Sequence, residues 1–202
     1  MTCHINRHMS PIRFLLREAT ASAHGRVDDA FTRLNLQQPN DYRRFLSAHA
    51  SVIPPMEALA GQAGAGKILD DWPSRRRTGA LQDDLAALGL QMPPPLLLGS
   101  HGGPAWVLGV LYVLEGSRLG AQVLRQRVLA GPDVGCRAAT AYLSHGIGQS
   151  LWPSFLTQLE ASPYAKGDTG PVIEGAHDAF AAFECAVPPG AETRDLADAA
   201  AP

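Results

Sequence analysis

The chain is poor in cysteine. Cys3, Cys136 and Cys185 are its three thiols among 202 residues, with no CxxC pair among them. That excludes a disulfide framework and the common zinc spacings, and it fits free thiols in a reducing compartment. A basic excess is also missing: 17 Lys and Arg stand against 19 Asp and Glu, for a formal net charge of −2. No global positive field points to nucleic acid. Long apolar runs are absent as well. The longest, AWVLGVLYVL (105–114), has about half of the ~20 residues a membrane span needs. The first residues, MTCHINRHMS, contain no apolar stretch of the kind a secretory signal requires. The expectation is a soluble, cytoplasmic protein that binds neither membrane nor nucleic acid. No alternating strand pattern and no internal repeat stand out either, which leaves helical periodicity to organise the chain.

That periodicity is present almost throughout. Ser10-Pro11 reads as a helix start, with Ile12, Leu15, Leu16, Ala19, Ala23, Val27, Phe31 and Leu34 following in steps of three and four. A second helix is expected after Asn40, with Tyr42, Phe45, Leu46 and Val52 inward and a kink or break at Pro54-Pro55. GQAGAGK then reads as a flexible link. Ser74 is the expected cap of a third helix running through Leu81, Leu85 and Leu88 to Gly89, and MPPP (92–95) with the glycines near Gly102 forms a loop. Pro104 opens a central apolar helix to about Gly131. A fifth helix is expected near 137–159, interrupted at Pro153, and a sixth over 171–186. The composition predicts an all-α single domain over residues 10–187, with disordered tails at 1–9 and 188–202.

Two features of these helices invite chemistry. In the central helix, each residue turns by about 100°, so Gly116 and Gly120 lie within roughly 20° of Gly109, and Ala105 about 40° away. These four positions form a stripe with little side chain, bordered by Tyr112, Val113, Val123 and Leu124. Glycine inside a helix costs about 1 kcal/mol relative to alanine. Such a stripe admits either the backbone of a neighbouring helix or a flat ligand. On the first helix, His24 shares a face with Thr20, Val27 and Phe31. Arg17 lies on that face about 10 Å away, and Asp28, at i+4, can hold the second imidazole nitrogen. A neutral imidazole is a common ligand of haem iron, and an arginine suits a propionate.

Taken together, LREATASAHGRVDDAF (16–31) resembles the proximal helix of haem oxygenases, and YVLEGSRLGA (112–121) resembles their distal helix in its bacterial Glu-Gly-Ser form. VIEGAHDAFAAFE (172–184) resembles the last core helix of that family, so the likeness extends over roughly residues 11–186. It implies a helical bundle with haem b, as substrate and cofactor, between the first helix and the glycine-containing distal helix. It implies His24 as the proximal iron ligand, with Asp28 where the family usually has Glu, and Arg17 near a propionate. Gly116 and Gly120 match the distal glycines that lie against the haem, and Ser117 stands where the animal enzymes have an Asp that organises distal water. The second propionate-binding Arg of the animal enzymes has no counterpart in DTGPVIEG, where the nearest cation is Lys166; this leaves the regiochemistry of ring opening undecided. The implied reaction converts haem, O2 and reducing electrons to biliverdin, carbon monoxide and ferrous iron. Electrons would come from a reductase or ferredoxin, and biliverdin could pass to an acceptor such as a phytochrome. A haem carrier or sensor of the same fold that does not turn over is the alternative, and a helical interaction protein without haem is a third reading.

Other motifs carry less. GQAGAGKI (61–68) begins like a phosphate-binding loop, but Ile68 stands where a magnesium-ligating Ser or Thr is needed, and no strand precedes it. GSRLG is not the GxSxG of a nucleophile elbow. CHINRH (3–8) reads as tail. SRRRTG (74–79) reads as a solvated basic face, with a reductase-docking patch as the alternative. His49, His101, His145 and His177 belong to no motif, and Trp106 and Trp152 read as core.

Overall fold

The computed structural model describes residues 11–99 and 102–187. The tails, Ser10, Cys3, CHINRH and His101 lie outside them. Among the described residues there is no strand. Eleven α-helices follow in order: α1 Ile12–Thr32, α2 Pro39–Gln62, α3 Ala65–Ile68, α4 Trp72–Arg75, α5 Thr78–Ala87, α6 Pro104–Gly116, α7 Arg118–Leu129, α8 Val134–Ala138, α9 Ala141–Ser144, α10 Leu151–Ala161 and α11 Gly170–Ala186. The all-α expectation holds.

The centre of the molecule is the pair α6 and α11. Trp106 to Leu111 and Val113 to Glu115 are all buried. This near-complete burial explains why α6 reads as apolar on every side. By length and composition alone, Pro104–Leu129 could cross a membrane. A core helix has the same composition, and α6 is one. Helix α11 meets it with a face rich in small residues: Val172, Gly175, Ala176, Ala179 and Ala182 are buried, with Phe180 and Phe183. Helix α1 packs on α11 and α10, and α2 packs on α5 and α11. The buried residues of α1, Ile12, Leu16, Thr20 and Ala23, step by three and four, as a one-sided helix requires.

Several local expectations are corrected. Pro54 and Pro55 do not break α2, which continues through them to Gln62. Pro55 has no N–H to give the Ser51 carbonyl, and the Leu96 amide takes that place at 2.8 Å. GQAGAGK is not a flexible link, since α3 occupies Ala65–Ile68 after a left-handed Gly64 with φ of 106°. Ser74 caps nothing: its hydroxyl donates to Asp71 O at 2.8 Å. The cap of α5 comes from α2, where Glu57 accepts from the amides of Arg77 (2.6 Å) and Thr78 (3.1 Å) and from the Thr78 hydroxyl (2.6 Å). A single-chain reading of capping looks three residues away and cannot see a carboxylate from another helix.

The expected central helix is two helices, α6 and α7, divided at Ser117. The expected fifth helix is three. Its interruption lies at 145–150, where Gly146 and Gly148 adopt φ of 79° and 81°, and Pro153 sits in the first turn of α10, where proline is tolerated. Asp84 supplies the start of α9 by accepting from the amides of Ala141 and Tyr142, both at 2.8 Å.

Candidate functional site

The glycine stripe divides into two parts with different uses. A Cβ on Gly109 would lie 1.9 Å from Val172 O and 2.7 Å from Ala176 N of α11. Gly109 therefore serves close helix packing. The other end is different. A Cβ on Gly116 would find only the Trp152 ring, at 3.6 Å, and one on Gly120 would find nothing within 4 Å. Leu119 and Val123, on the same side of the helix, are 61% and 58% exposed. An apolar, side-chain-poor surface open to an incoming group thus occupies the break and the start of α7.

On α1, His24 projects outward, with its side chain 62% exposed. Its Nδ1 lies 2.9 Å from Asp28 Oδ2. A carboxylate accepts, so Nδ1 carries the proton in the neutral ring, and the lone pair is left at Nε2. The ring stands edge-on to Phe180 of α11, with centroids 5.7 Å apart, which limits its swing. The predicted pair His24 and Asp28 is therefore assembled as expected.

Tyr112 of α6 lies near Thr20 and Arg17 of α1. Thr20 Oγ1 donates to Leu16 O at 2.7 Å. Burial pushes the Tyr112 pKa up, and the Arg17 charge pulls against that rise. Tyr112 also packs on Trp152, with ring centroids 5.7 Å apart. Trp152 is half-buried, whereas Trp106 is core as expected. Arg17 is exposed beside this contact. Ser117 is exposed, and its hydroxyl donates to Leu114 O at 2.8 Å.

Behind the break lies an ion network that no sequence motif announced. Glu115 is fully buried between two arginines: Arg75 Nη1 reaches Oε2 at 2.8 Å, and Arg118 Nη2 reaches Oε1 at 2.9 Å. Arg75 also bonds Asp71 Oδ1 (2.7 Å) and Ser154 Oγ (2.7 Å). The Asp71 carboxyl is held below its usual range, chiefly by that bond to Arg75. Arg77 Nη2 donates to Leu114 O at 2.9 Å, and its guanidinium stacks over Tyr142 at 5.2 Å. Among the described residues, its Nε is the buried side-chain donor left without a partner. Arg118 Nη1 meets His145 Nδ1 at 2.9 Å. Burial, then Arg118, pushes the His145 pKa down, so the imidazole accepts there. SRRRTG is therefore not a solvated face: Arg75 and Arg77 are 2% and 3% exposed, and Arg76 is the outward member of the three. The available signal was Glu115, a carboxylate inside an otherwise apolar helix, which demands a buried cation. His49, with no motif support, sits among Phe31, Phe45, Tyr142 and Phe183. His177 is exposed on α11. Among the described residues, no group of three or more His, Cys, Asp or Glu side chains could hold a metal ion.

The residues present suit haem. They offer one imidazole with a fixed tautomer, a cation near a polar edge, and a wall with room for a flat apolar group. No protein-family model matches the chain. It is 30% identical over 147 residues to the haem oxygenase of Xanthomonas campestris pv. campestris (strain 8004), covering 70% of this chain and 86% of that protein. The fold resembles the NO- and CO-bound haem oxygenase of Neisseria meningitidis, with a TM-score of 0.73 at 23% identity over 88% of this chain and 90% of that one. It also resembles the haem oxygenase of Leptospira interrogans, with a TM-score of 0.70 at 20% identity over 88% and 98% of the two chains. On its sequence relationship to the Xanthomonas protein, and with a fold to match, the chain belongs to the haem oxygenase family.

Proposed function

We propose that the protein cleaves haem oxidatively, using O2 and electrons from a separate reductase or ferredoxin, to give biliverdin, carbon monoxide and ferrous iron. The observation that carries this reading is the pairing of an outward His24, whose Nδ1 is held by Asp28, with an open wall at Gly120. Bound haem would supply the redox-active iron and the ring that is opened. The chain's own contribution is binding and orientation. His24 Nε2 offers the lone pair for iron, and Asp28 keeps the ring in the tautomer that makes this possible. Arg17 pairs with a propionate carboxylate. Gly116 and Gly120 let the backbone lie close to the macrocycle and narrow the space left for other groups. Ser117 donates back to Leu114 O of α6, so its oxygen is positioned to accept a hydrogen bond from ordered water rather than to shuttle a proton itself. No acidic side chain is required as a catalyst.

The test is a single-turnover optical assay. Hemin is added to the purified chain, the Soret band is recorded, and ascorbate or a reductase is supplied in air. Decay of the Soret band into the broad red absorption of biliverdin supports the enzyme. A persistent Soret band identifies a carrier or sensor, and no spectral change at all removes haem from the account. We place the protein in the cytoplasm, with biliverdin handed to an acceptor such as a phytochrome; co-purification of a biliverdin-loaded photoreceptor would test that step.

A further inference from the structure

We propose that Arg118 is a positioning residue that sets the angle between α6 and α7 and thereby the shape of the distal wall. The inference rests on the reading that haem lies against Gly116 and Gly120. These two glycines stand on opposite sides of the break at Ser117, so the wall is made by two helices, not one. No proline causes the break. The Leu114 carbonyl accepts from Ser117 Oγ at 2.8 Å and from Arg77 Nη2 at 2.9 Å, and side-chain donors entering a helical ladder are a known cause of bends.

The one-residue junction at Ser117 needs something to fix the angle at which the two helices meet. Arg118 is the first residue of α7, and Glu115 lies in the last turn of α6. The Arg118 fork spans the break, with Nε to Glu115 Oε2 at 3.1 Å and Nη2 to Oε1 at 2.9 Å. Nη2 also donates to the Arg75 carbonyl, and Nη1 meets His145 in the turn before α10. One planar group thus joins α7 to α6, to the end of α4 and to the 145–150 turn. A point charge on a flexible stem could not hold these directions together. The lever is short: Gly120 lies about 6 Å along the axis from Gly116, so a change of ~10° moves it by about 1 Å. Misplacement on that scale can cost about 100-fold in rate. An Arg118 acting only on stability would leave the wall unchanged in variants that still fold.

The experiment uses the full chain with Arg118→Lys, which keeps the charge and loses the fork, and Glu115→Gln, which keeps one acceptor and loses the charge. Hemin affinity should stay within about threefold of wild type, because His24 is untouched. The C–O stretching band of the carbon monoxide complex should shift or split, and the ratio of biliverdin isomers should change. Amide hydrogen exchange at 118–122 should quicken by at least tenfold, with 107–113 unaffected. Folded, haem-loaded variants with the wild-type stretching band and isomer ratio would overturn the proposal. Should both variants fail to fold, His145→Phe decides, because it removes one partner of the Arg118 fork and none of the groups placed at the haem; a smaller shift of the same band is expected, and an identical band counts against the idea. A wild-type chain that takes up no haem defeats the reaction reading instead, and the exchange rates then decide the clamp on its own.

Discussion

Gly109 of α6 and Gly175 of α11 each leave the place of a side chain to the backbone of the other's helix. A Cβ on the first would lie 1.9 Å from Val172 O, and one on the second would lie 2.1 Å from Trp106 O. The two central helices therefore cross backbone to backbone, and the crossing fixes where α6 delivers its far end, Glu115 and Gly116.

Gly109→Ala should then destabilise the fold by about 2 kcal/mol or more, as overpacking against rigid backbone does. Gly120→Ala should leave the melting temperature of the haem-free protein nearly unchanged. Thermal unfolding of both variants checks this. Gly120→Leu should still fold but take up haem at least tenfold less tightly. A Gly120→Leu variant that binds and turns over haem normally would remove the wall from the site.

His24→Ala should abolish the proximal Fe–N bond, read from the spectrum of the haem complex, with added imidazole restoring a coordinated form. Asp28→Asn keeps an acceptor but loses the charge. By analogy with other partners of metal-binding histidines, it should weaken haem binding or turnover by about 10-fold, measured by hemin titration.

The buried ion network separates three adjacent arginines. Arg75→Met takes one of two guanidiniums from fully buried Glu115 and should cost about 3 kcal/mol. Arg76, 46% exposed and 3.8 Å from Glu57, should cost well under about 1 kcal/mol on mutation to alanine. Urea denaturation of the two variants distinguishes a structural cluster from a solvated one, in which both would be nearly silent.

His49 gives a pH dependence with a definite sign. Burial, chiefly, lowers its pKa to about 4, although its Nδ1 donates to Phe45 O at 2.9 Å. An unfolded His titrates near 6.5, so below that value the unfolded chain takes up the proton first. Stability should fall as pH drops from 6.5 towards 4, by roughly 1 kcal/mol per pH unit from this group, and should be insensitive to it above 7. His49→Gln should flatten that part of the profile relative to wild type in paired denaturation series at pH 7 and pH 5.

The helices were legible because their apolar residues recur at a period the chain imposes by itself, as in Ile12, Leu16, Ala19 and Ala23. His24 and Asp28 were legible for the same reason, being one turn apart on one helix. What escaped depends on partners far along the chain. Whether Gly109 faces a helix or a ligand is decided by Val172 and Ala176. Whether Arg75 is wet or dry is decided by Glu115, 40 residues away. The cap of α5 is Glu57, 20 residues before it. Pattern reading also took Pro54-Pro55 as a kink or break, because it counts the hydrogen bonds proline removes and not those another segment can restore.

That restored bond has a consequence for how the chain can vary. The Leu96 amide and the Ser51 carbonyl that join the 92–99 loop to α2 are both main-chain groups, so the join is indifferent to the side chain at 96 and sensitive to the count of residues leading to it. At position 96 any residue with a main-chain N–H keeps this bond, whereas an insertion or deletion between α5 and that position displaces it. The proline that costs α2 one internal bond thus fixes the length of the segment that feeds the central helix.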